Sequence, residues 1–418
     1  MNMKNKVPEI RFKGFSGNWE TYPLATFISS LDAGVSVNSG DRSANENEFG
    51  ILKTSCVTNG IFEPDENKVV FKKEEISRLK ESVLENTIII SRMNTPALVG
   101  ANAYISRGYA NYFLPDRLWA AKPTAIGDLK FIACILGSDK GRLALSDLAT
   151  GTSGSMKNIS KSAVLRLELH APEEKEQVQI GNFFQKLDEL ANLHQQKHDK
   201  LSNIKEAMLE KMFPKKGETI PEIRFKEFSG EWVNNPISEI CDATFGGGTP
   251  STNEKCFWQG DIPWIQSSDL RDGSVSSVTA KKYITRAAIN KSATKLVSGN
   301  SIAIVTRVGV GKLSLMENEY ATSQDFVSLS DLKVDAQFSA YAIWKLLQTE
   351  KDQVQGTSIK GITKEELLSK TISYPKSKLE QAQIGNYFQK LDALINQHQQ
   401  QITKLNNIKQ ACLSKMFV

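Results

Sequence analysis

The sequence predicts an α+β chain with an internal pseudo-two-fold repeat. Two domains of mixed sheet and helices are expected, separated by two long helices that form an antiparallel coiled coil. A short motif, VPEIRFKGFSGNW at 7–19, returns as IPEIRFKEFSGEW at 220–232 with ten of thirteen positions identical. A longer segment at 176–213 returns at 380–417 with 26 of 38 positions identical. Such self-similarity indicates a duplicated structural unit.

Length and composition limit the class of protein. At 418 residues the chain exceeds the ~250–300 residues at which one hydrophobic core stops growing, so two domains are expected. A net charge of +5 permits an anionic partner without requiring one. The five scattered cysteines form no C-x-x-C pair, which fits a reducing compartment and predicts no metal site. The start of the chain lacks a signal-peptide core, and no apolar run could cross a bilayer. A cytoplasmic protein without a membrane partner is predicted.

The long repeated segments predict helices with a narrow apolar seam. Apolar residues recur at spacings of three and four, and a helix of about 38 residues would be ~57 Å long. Such a stripe is not stable on a lone helix, so each copy is expected to pair with the other. The predicted seam residues are Leu187, Leu190, Leu201, Ile204, Met208, Leu391, Leu394, Leu405, Ile408 and Cys412.

The segments between the repeats have little sequence in common. Short β-type runs occur in both, TIIIS at 87–91 and SIAIVT at 301–306, among polar, Gly-rich loops. They are predicted to be two versions of one domain fold, and different inserts in one frame suggest two related tasks on different targets. The predicted domains are residues 1–173, a spacer helix at 174–213, residues 214–377, and a second spacer helix at 378–418.

The sequence contains partial matches to catalytic motifs, and these matches are incomplete or unspecific. TRVGVGKLS at 306–314 lacks the first Gly and the final Ser or Thr of a phosphate-binding loop. A permissive PD…D-x-K pattern occurs at Asp116, Asp128 and Lys130, without a matching copy in the second half. A duplicated chain of this kind favours a binding protein. Two alternatives stay open: a metal-dependent DNA nuclease using those three residues, and a coiled-coil scaffold that ignores DNA.

The motif set resembles one known family. EIRFKGFSGNW and EIRFKEFSGEW open the two halves, EQVQIGNFFQKLD and EQAQIGNYFQKLD open the two helices, and GGGTPS…GDIPWI lies at 246–265. Together these resemble the specificity subunit of type I restriction–modification systems, over essentially the whole chain. The first half departs from the pattern, with AGVSVNSG at 33–40 and NEFGIL at 47–52 in the corresponding places.

The resemblance implies a host-defence protein with a division of labour. Each domain would be a target recognition domain reading one half of a split, asymmetric double-stranded DNA sequence, and the paired helices would set the spacer. Two methyltransferase subunits, carrying S-adenosylmethionine for adenine methylation, and restriction/translocase subunits using ATP and Mg would bind this chain. The chain itself would have no catalysis and bind no cofactor.

Loop residues with adaptable hydrogen-bonding groups are the predicted DNA contacts. An Arg at a strand end can read guanine or hold a phosphate, although it can equally serve as a surface ion-pair partner. The candidates in the first domain are Lys53, Thr54, Ser55, Arg92, Asn94, Ser155 and Lys157. Those in the second are Thr249, Ser251, Gln266, Ser267, Arg307, Ser323, Gln324, Ser358 and Lys360.

Overall fold

The computed structural model describes residues 6–58, 60–150, 156–276, 278–307, 309–353 and 361–418. The chain forms two compact units: Met1–His194 with Gln401–Val418, and Gln195–Gln400. Across the described ranges, none of the helices combines the length and apolar character needed to cross a membrane. Each unit contains one domain together with parts of both long helices.

The first unit contains a domain of two main sheets with helices. Its strands are β1 Glu20–Pro23, β2 Ile28–Ala33, β3 Gly50–Leu52, β4 Val57–Thr58, β5 Ile61–Phe62, β6 Asn67–Val69, β7 Ser82–Val83, β8 Thr87–Ser91, β9 Met93–Asn94, β10 Asn102–Ile105, β11 Tyr109–Phe113, β12 Leu118–Pro123, β13 Lys157–Asn158 and β14 Glu168–Ala171. Its helices are α1 Lys73–Ile76, α2 Leu129–Gly137, α3 Asp139–Asp147, α4 Lys161–Leu165 and the start of α5 Glu174–Lys211.

The second unit contains the other domain. Its strands are β15 Val233–Pro236, β16 Cys241–Gly246, β17 Ile262–Ile265, β18 Lys282–Ile284, β19 Ser301–Val305, β20 Leu313–Met316, β21 Ala321–Thr322, β22 Phe326–Leu332 and β23 Thr371–Tyr374. Its helices are α6 Arg286–Asn290, α7 Ala336–Gln353, α8 Lys364–Ser369 and most of α9 Lys378–Lys415.

The two domains share the strand order of the larger sheet and of three strands in the smaller sheet, which confirms that they are versions of one fold; in the first domain β7 extends the smaller sheet beside β11. The larger sheet is antiparallel and runs β10-β8-β12-β2 in the first domain and β20-β19-β22-β16 in the second. The smaller sheet holds a parallel pair beside an antiparallel neighbour: β11 and β6 flank β3, and β21 and β18 flank β17. The strands are short and their faces are mostly buried, as the apolar runs TIIIS and SIAIVT suggested. Mixed sheets with helices packed against them give the predicted α+β class.

The repeated short motif anchors the start of each long helix. Arg11 forms a bidentate pair with Glu176 at 2.6 and 2.7 Å, and Arg224 does the same with Glu380 at 2.7 and 2.8 Å. Both glutamates are nearly inaccessible, with side chains 0% and 1% exposed. A buried carboxylate needs such a partner, and the planar guanidinium fork supplies two hydrogen bonds to it. The motif therefore has a structural role in each half.

The repeated helix sequence also holds a neighbouring helix of its domain. Gly181 lies so close to the Asp128 side chain that an added Cβ would be 2.5 Å from it, and a Cβ added to Gly385 would be 2.8 Å from the Phe338 amide nitrogen. A side chain at either position would collide with the first turn of α2 or α7. This explains the glycine of the I-G-N sequence in both helices.

The long helices run antiparallel to each other within each unit. In the first unit, the Phe184 and Phe417 ring centroids are 5.8 Å apart, and Asp188 pairs with Lys409 at 2.6 Å. Residue numbers therefore increase along α5 while those of the contacting residues decrease along α9. In the second unit, Lys205 pairs with Asp392 at 2.6 Å. A supercoiled pair along the full helix length remains a prediction.

The predicted seam residues occupy two kinds of environment. Leu187 and Leu391 are buried, and Leu201, Ile204, Met208, Leu405 and Cys412 pack against the domain cores. Leu190, Leu394 and Ile408 are 39%, 43% and 37% exposed, respectively. Much of the apolar stripe therefore covers the domain of the unit in which it lies.

Candidate nucleic-acid interface

In the second domain, two parallel strands bring separate loops to one sheet edge. Trp264 pairs with Ala321 and Ile265 with Thr322, so β17 and β21 end side by side. Gln266 and Ser267 follow the first strand, and Ser323 and Gln324 follow the second. The Ser323 amide donates to the Ile265 carbonyl at 2.9 Å, which joins the two loops. Four of the predicted contact residues therefore share this edge.

The Gly-rich segment packs beside the same edge. The Gly248 amide donates to the Thr322 carbonyl at 2.9 Å. Gly247 lies so close to the Ser323 carbonyl that a Cβ would come within 1.8 Å of it, which explains the glycine. The Trp264 indole donates to the Gly248 carbonyl at 2.9 Å, and the ring is buried. Thr249 and Ser251 follow in exposed positions.

Arg307 reaches this edge from the larger sheet. The Thr306 amide and hydroxyl both donate to the Asp325 carbonyl, at 2.7 and 3.1 Å. These two hydrogen bonds hold the end of β19 beside the loop that carries Gln324. Arg307 itself is exposed. A guanidinium in this position can contact a phosphate or the edge of a base in the major groove.

The first domain forms the corresponding edge with different side chains. Tyr112 pairs with Gly50 in the parallel ladder of β3 and β11. Lys53, Thr54 and Ser55 follow β3. Ser55 donates to the Glu66 carboxylate at 2.5 Å, and Lys53 lies 3.5 Å from it. The Ser55 hydrogen bond, helped by Lys53, lowers the pKa of Glu66, so this carboxylate stays charged at neutral pH.

Arg92, Asn94 and Lys157 form a second group in the first domain. Lys157 pairs with Asn94 in the two-stranded ladder of β9 and β13. The Arg92 carbonyl accepts from the Ile159 amide at 2.9 Å. The Arg92 guanidinium lies over the Trp119 ring, 5.9 Å from its centroid, which restrains its direction. The structure therefore brings Lys157 beside Arg92 and Asn94, although it lies 65 positions after Arg92 in the sequence.

Two of the candidates are largely enclosed by the protein. Asn94 is 8% exposed, donates to the Ser91 hydroxyl at 3.2 Å and accepts from the Thr95 amide at 2.9 Å. Ser323 is 4% exposed and donates to Asp325 at 3.2 Å. These bonds shape the loops that present the exposed residues. Ser155, Ser358 and Lys360 lie outside the described residues.

The backbone hydrogen bonds show that Arg92 and Arg307 do not occupy equivalent positions in the two domains. The Arg92 amide donates to the Arg117 carbonyl at 3.0 Å, as the Thr306 amide does to Asp325. The structural counterpart of Arg92 is therefore Thr306, and the two arginines are not equivalent positions. The same bond reveals Arg117, an exposed residue at this edge that sequence reasoning missed. Its only sequence signal is a basic residue after β11, which is uninformative until the parallel pairing is known.

The three residues of the nuclease alternative have other roles. Asp128 is the N-cap of α2 and accepts from the Phe131 amide at 2.8 Å. Its counterpart Asp335 accepts from the Phe338 amide at 2.8 Å, so the second half has a structural copy of this cap. Lys130 donates to the Asn182 side chain at 2.8 Å.

The remaining residue has a different partner. Asp116 accepts a hydrogen bond from the Ser36 hydroxyl, and the six-residue strand β12 lies between it and Asp128 in the chain. Within the described ranges, no group of three or more His, Cys, Asp or Glu side chains could hold a metal ion. The geometry that a two-carboxylate nuclease site needs is not formed by these residues.

Comparisons with known proteins agree with the repeat. The family model described as "Type I restriction modification DNA specificity domain" matches residues 17–203 and again 229–407. The chain is 44% identical over 89 residues to the EcoR124I/EcoR124II specificity subunit of Escherichia coli, a match covering 21% of each chain. It is 26% identical over 195 residues to the MjaIX specificity subunit of Methanocaldococcus jannaschii, covering 45% of this chain and 44% of that one. These matches span less than half the length of the curated relatives.

A solved structure supports the fold over the whole length. The crystal structure of a type I restriction–modification S subunit from M. genitalium superposes with a TM-score of 0.65 at 16% sequence identity, covering 99% of both chains. At that identity the likeness concerns the fold. The family model, by contrast, matches most of the sequence in two successive copies. The chain therefore belongs to the type I restriction–modification DNA specificity domain family, whose specificity subunits are non-catalytic.

Proposed function

We propose that this chain is a non-catalytic specificity subunit that reads a bipartite, asymmetric DNA target, one half per domain. The main support is that equivalent strand ends carry different side chains. Lys53, Thr54 and Ser55 follow β3, whereas Gln266 and Ser267 follow its counterpart β17. A shared scaffold with different, at least partly exposed donors and acceptors suits the reading of two different base sequences.

The predicted contact residues divide into two roles in this proposal. Exposed cations such as Arg307 and Arg117 position the backbone phosphates, and the polar loops specify bases. Because the net charge is only +5, the isolated chain should bind DNA weakly and need its partners for tight binding. DNA binding by the isolated chain as tight as that of the whole complex would contradict this part.

The proposed partners are two adenine methyltransferase subunits, together with restriction/translocase subunits, in the cytoplasm. The partners would bring S-adenosylmethionine, ATP and Mg. The repeat supports two copies of one partner, because Leu190 and Leu394 occupy the same repeat position and are both exposed. The domain boundaries at 173, 213 and 377 remain part of this proposal, supported by the starts of α5 and α9 at Glu174 and Lys378.

The spacing between the half-sites is assigned to the helices. Half-sites on one face of DNA lie about one helical turn apart, ~34–36 Å. Helices of 38 residues are ~57 Å long, sufficient to hold two domains at that distance. Rigid helices suit this role better than loops, because loop length does not fix a distance.

The decisive experiment exchanges one domain and maps methylated adenines across the genome of a host carrying the complete system. Replacing the first domain with that of another family member should change one half-site and leave the other half-site and the spacer unchanged. A scaffold that ignores DNA would leave the methylated sequence unaltered, which would refute the proposal.

A point variant refines the same experiment within one domain. Arg307→Ala should reduce methylation at the native target by about five- to a hundredfold, the range for loss of a base or phosphate contact. Arg286→Ala is the matched control: it removes an exposed arginine that pairs with Glu319 beside the opposite end of the smaller sheet. Equal effects of the two substitutions would contradict the assignment of the strand-end edge as the DNA-binding edge.

A further inference from the structure

Two ion pairs join α5 to α9, one within each unit. Asp188 and Lys409 are 2.6 Å apart in the first unit, and Lys205 and Asp392 are 2.6 Å apart in the second. The two aspartates occupy the same position of the repeat, and so do the two lysines. Each helix therefore contributes one acid and one base to the pairing.

The order of these charges distinguishes orientations of the helices. Each helix carries its Asp first and its Lys seventeen positions later, at 188 and 205 in α5 and at 392 and 409 in α9. Antiparallel pairing at this register sets each Asp against a Lys. Parallel pairing of the same positions would set Asp against Asp and Lys against Lys, which is repulsive. Sliding one helix separates both pairs at once, so the pattern favours one orientation and one register.

The Lys205–Asp392 ion pair in the second unit is buried, and both of its members make further hydrogen bonds. Lys205 is 6% and Asp392 4% exposed. The Lys205 ammonium also donates to the Gly273 carbonyl at 2.7 Å and lies 5.1 Å from the Trp344 ring centroid. The Tyr341 hydroxyl donates to the other Asp392 oxygen at 2.7 Å. Burial, together with the Asp392 charge, raises the pKa of Tyr341, so the hydroxyl keeps its proton.

Such a network tolerates little displacement. Buried charges are stable only while their partners and remaining hydrogen bonds are in place. A shift of α5 along α9 would leave the Lys205 ammonium and the Asp392 carboxylate buried without each other. A polar part of the penalty for the wrong register therefore resides in these two side chains and in Tyr341, which holds the carboxylate, in addition to the packing of Phe184 on Phe417.

The first unit provides a natural control. There Lys409 and Asp188 are 22% and 44% exposed. Counting from the equivalent helix caps Asp128 and Asp335, the positions of Tyr341 and Trp344 are taken by Cys134 and Gly137. Neither residue can supply a phenol hydroxyl or an aromatic face. A partly exposed pair keeps more of its hydration when it separates, so it imposes less on the register.

We propose that Lys205, Asp392 and Tyr341 set the register between α5 and α9, and thereby the number of base pairs between the two half-sites. These are positioning residues and touch no DNA. The inference rests on the proposed function, in which the helices determine the spacer. It adds that this determination is asymmetric, with the buried pair constraining the register more strongly than its partly exposed counterpart.

The first test removes both charges and reads the spacer. The Lys205→Met/Asp392→Leu variant, assembled with its methyltransferase partners in cells, replaces a buried ion pair with apolar groups, a change that commonly preserves folding. Methylated-adenine mapping should then show the native half-sites at two or more spacings, with the native spacing reduced to half of the sites or fewer. The control variant Asp188→Leu/Lys409→Met should keep a single spacing. A single native spacing in the first variant, or an equal spread in both, would overturn the proposal.

A second, near-isosteric pair of variants decides the matter if the double variant does not fold. Asp392→Asn retains the shape of the side chain but leaves the Lys205 charge unpaired, and Asp188→Asn does the same for Lys409. Methylation at native sites should fall at least tenfold for the first variant and stay within twofold for the second. Equal effects would overturn the proposal. If the wild-type complex methylates no bipartite sequence, the proposed function fails, and that result is distinct from the two above.

Discussion

Replacing Phe417 with alanine should destabilise the first unit, although most of that unit lies more than 200 positions earlier in sequence. Phe417 is 6% exposed, and its ring lies 6.2, 5.7 and 5.8 Å from the rings of Trp19, Phe131 and Phe184. A buried Phe→Ala change costs about 3–5 kcal/mol of unfolding free energy, and three aromatic neighbours favour the upper part of this range. For a unit of about 210 residues this corresponds to a melting temperature lowered by roughly 6–20 °C.

Hydrogen exchange followed by mass spectrometry, together with calorimetry, measures this effect locally. Peptides containing Trp19 and Phe131 should lose protection in Phe417→Ala, and peptides containing Trp232 should keep theirs. Phe213→Ala should give the opposite pattern, because Phe213 lies 5.9 Å from Trp232 in the second unit.

A matched control separates this effect from a general response to losing a phenyl ring. Phe71 belongs to the first unit but is 64% exposed, so Phe71→Ala should change the unfolding free energy by less than about 0.5 kcal/mol. If Phe417→Ala leaves the protection around Trp19 unchanged, or loosens both units equally, the assignment of the chain end to the first core is wrong.

Two further predictions concern charged pairs. Arg224→Met strands Glu380, whose side chain is 1% exposed, and should cost about 3–5 kcal/mol in denaturant unfolding. The Arg224→Met/Glu380→Leu double variant should recover most of this loss, and no recovery would contradict a buried-charge penalty. Hydrogen bonds from Arg42, with the Asn45 amide, lower the pKa of Glu48 from 4.5 to about 2. Stability from this pair is therefore present above about pH 4.5 and is lost as the pH falls towards 2. NMR titration of the Glu48 carboxyl should show a higher pKa in Arg42→Ala, and an unchanged value would disprove the coupling.

Much of the fold was predictable because its signals are local. The helices at Glu174–Lys211 and Lys378–Lys415 follow from apolar spacing within each segment. The strands Thr87–Ser91 and Ser301–Val305 follow from short β-branched runs. The common fold of the two domains was predicted because the same repeated segments flank both of them.

The candidate DNA-binding edge was predictable only in part. Lys53 and Arg307 were identified as residues that follow strands, but their neighbours depend on the parallel pairing of β3 with β11 and of β17 with β21. Parallel partners are distant in sequence, and no local pattern specifies which strands meet. For that reason Arg117 was missed, and the sequence did not show that the structural counterpart of Arg92 is Thr306.

The sequence by itself determined the duplication, the two long helices and the family. Repeat identity, periodicity and motif spacing are properties of the chain and require no contacts. Only the tertiary structure decided which side chains meet: Arg11 with Glu176, Phe417 with Trp19, and Lys205 with Asp392 and Tyr341. The physical reason is that burial and hydrogen bonding depend on partners brought together by folding. Two ion pairs at the same repeat positions therefore form a buried network in one unit and a partly exposed pair in the other.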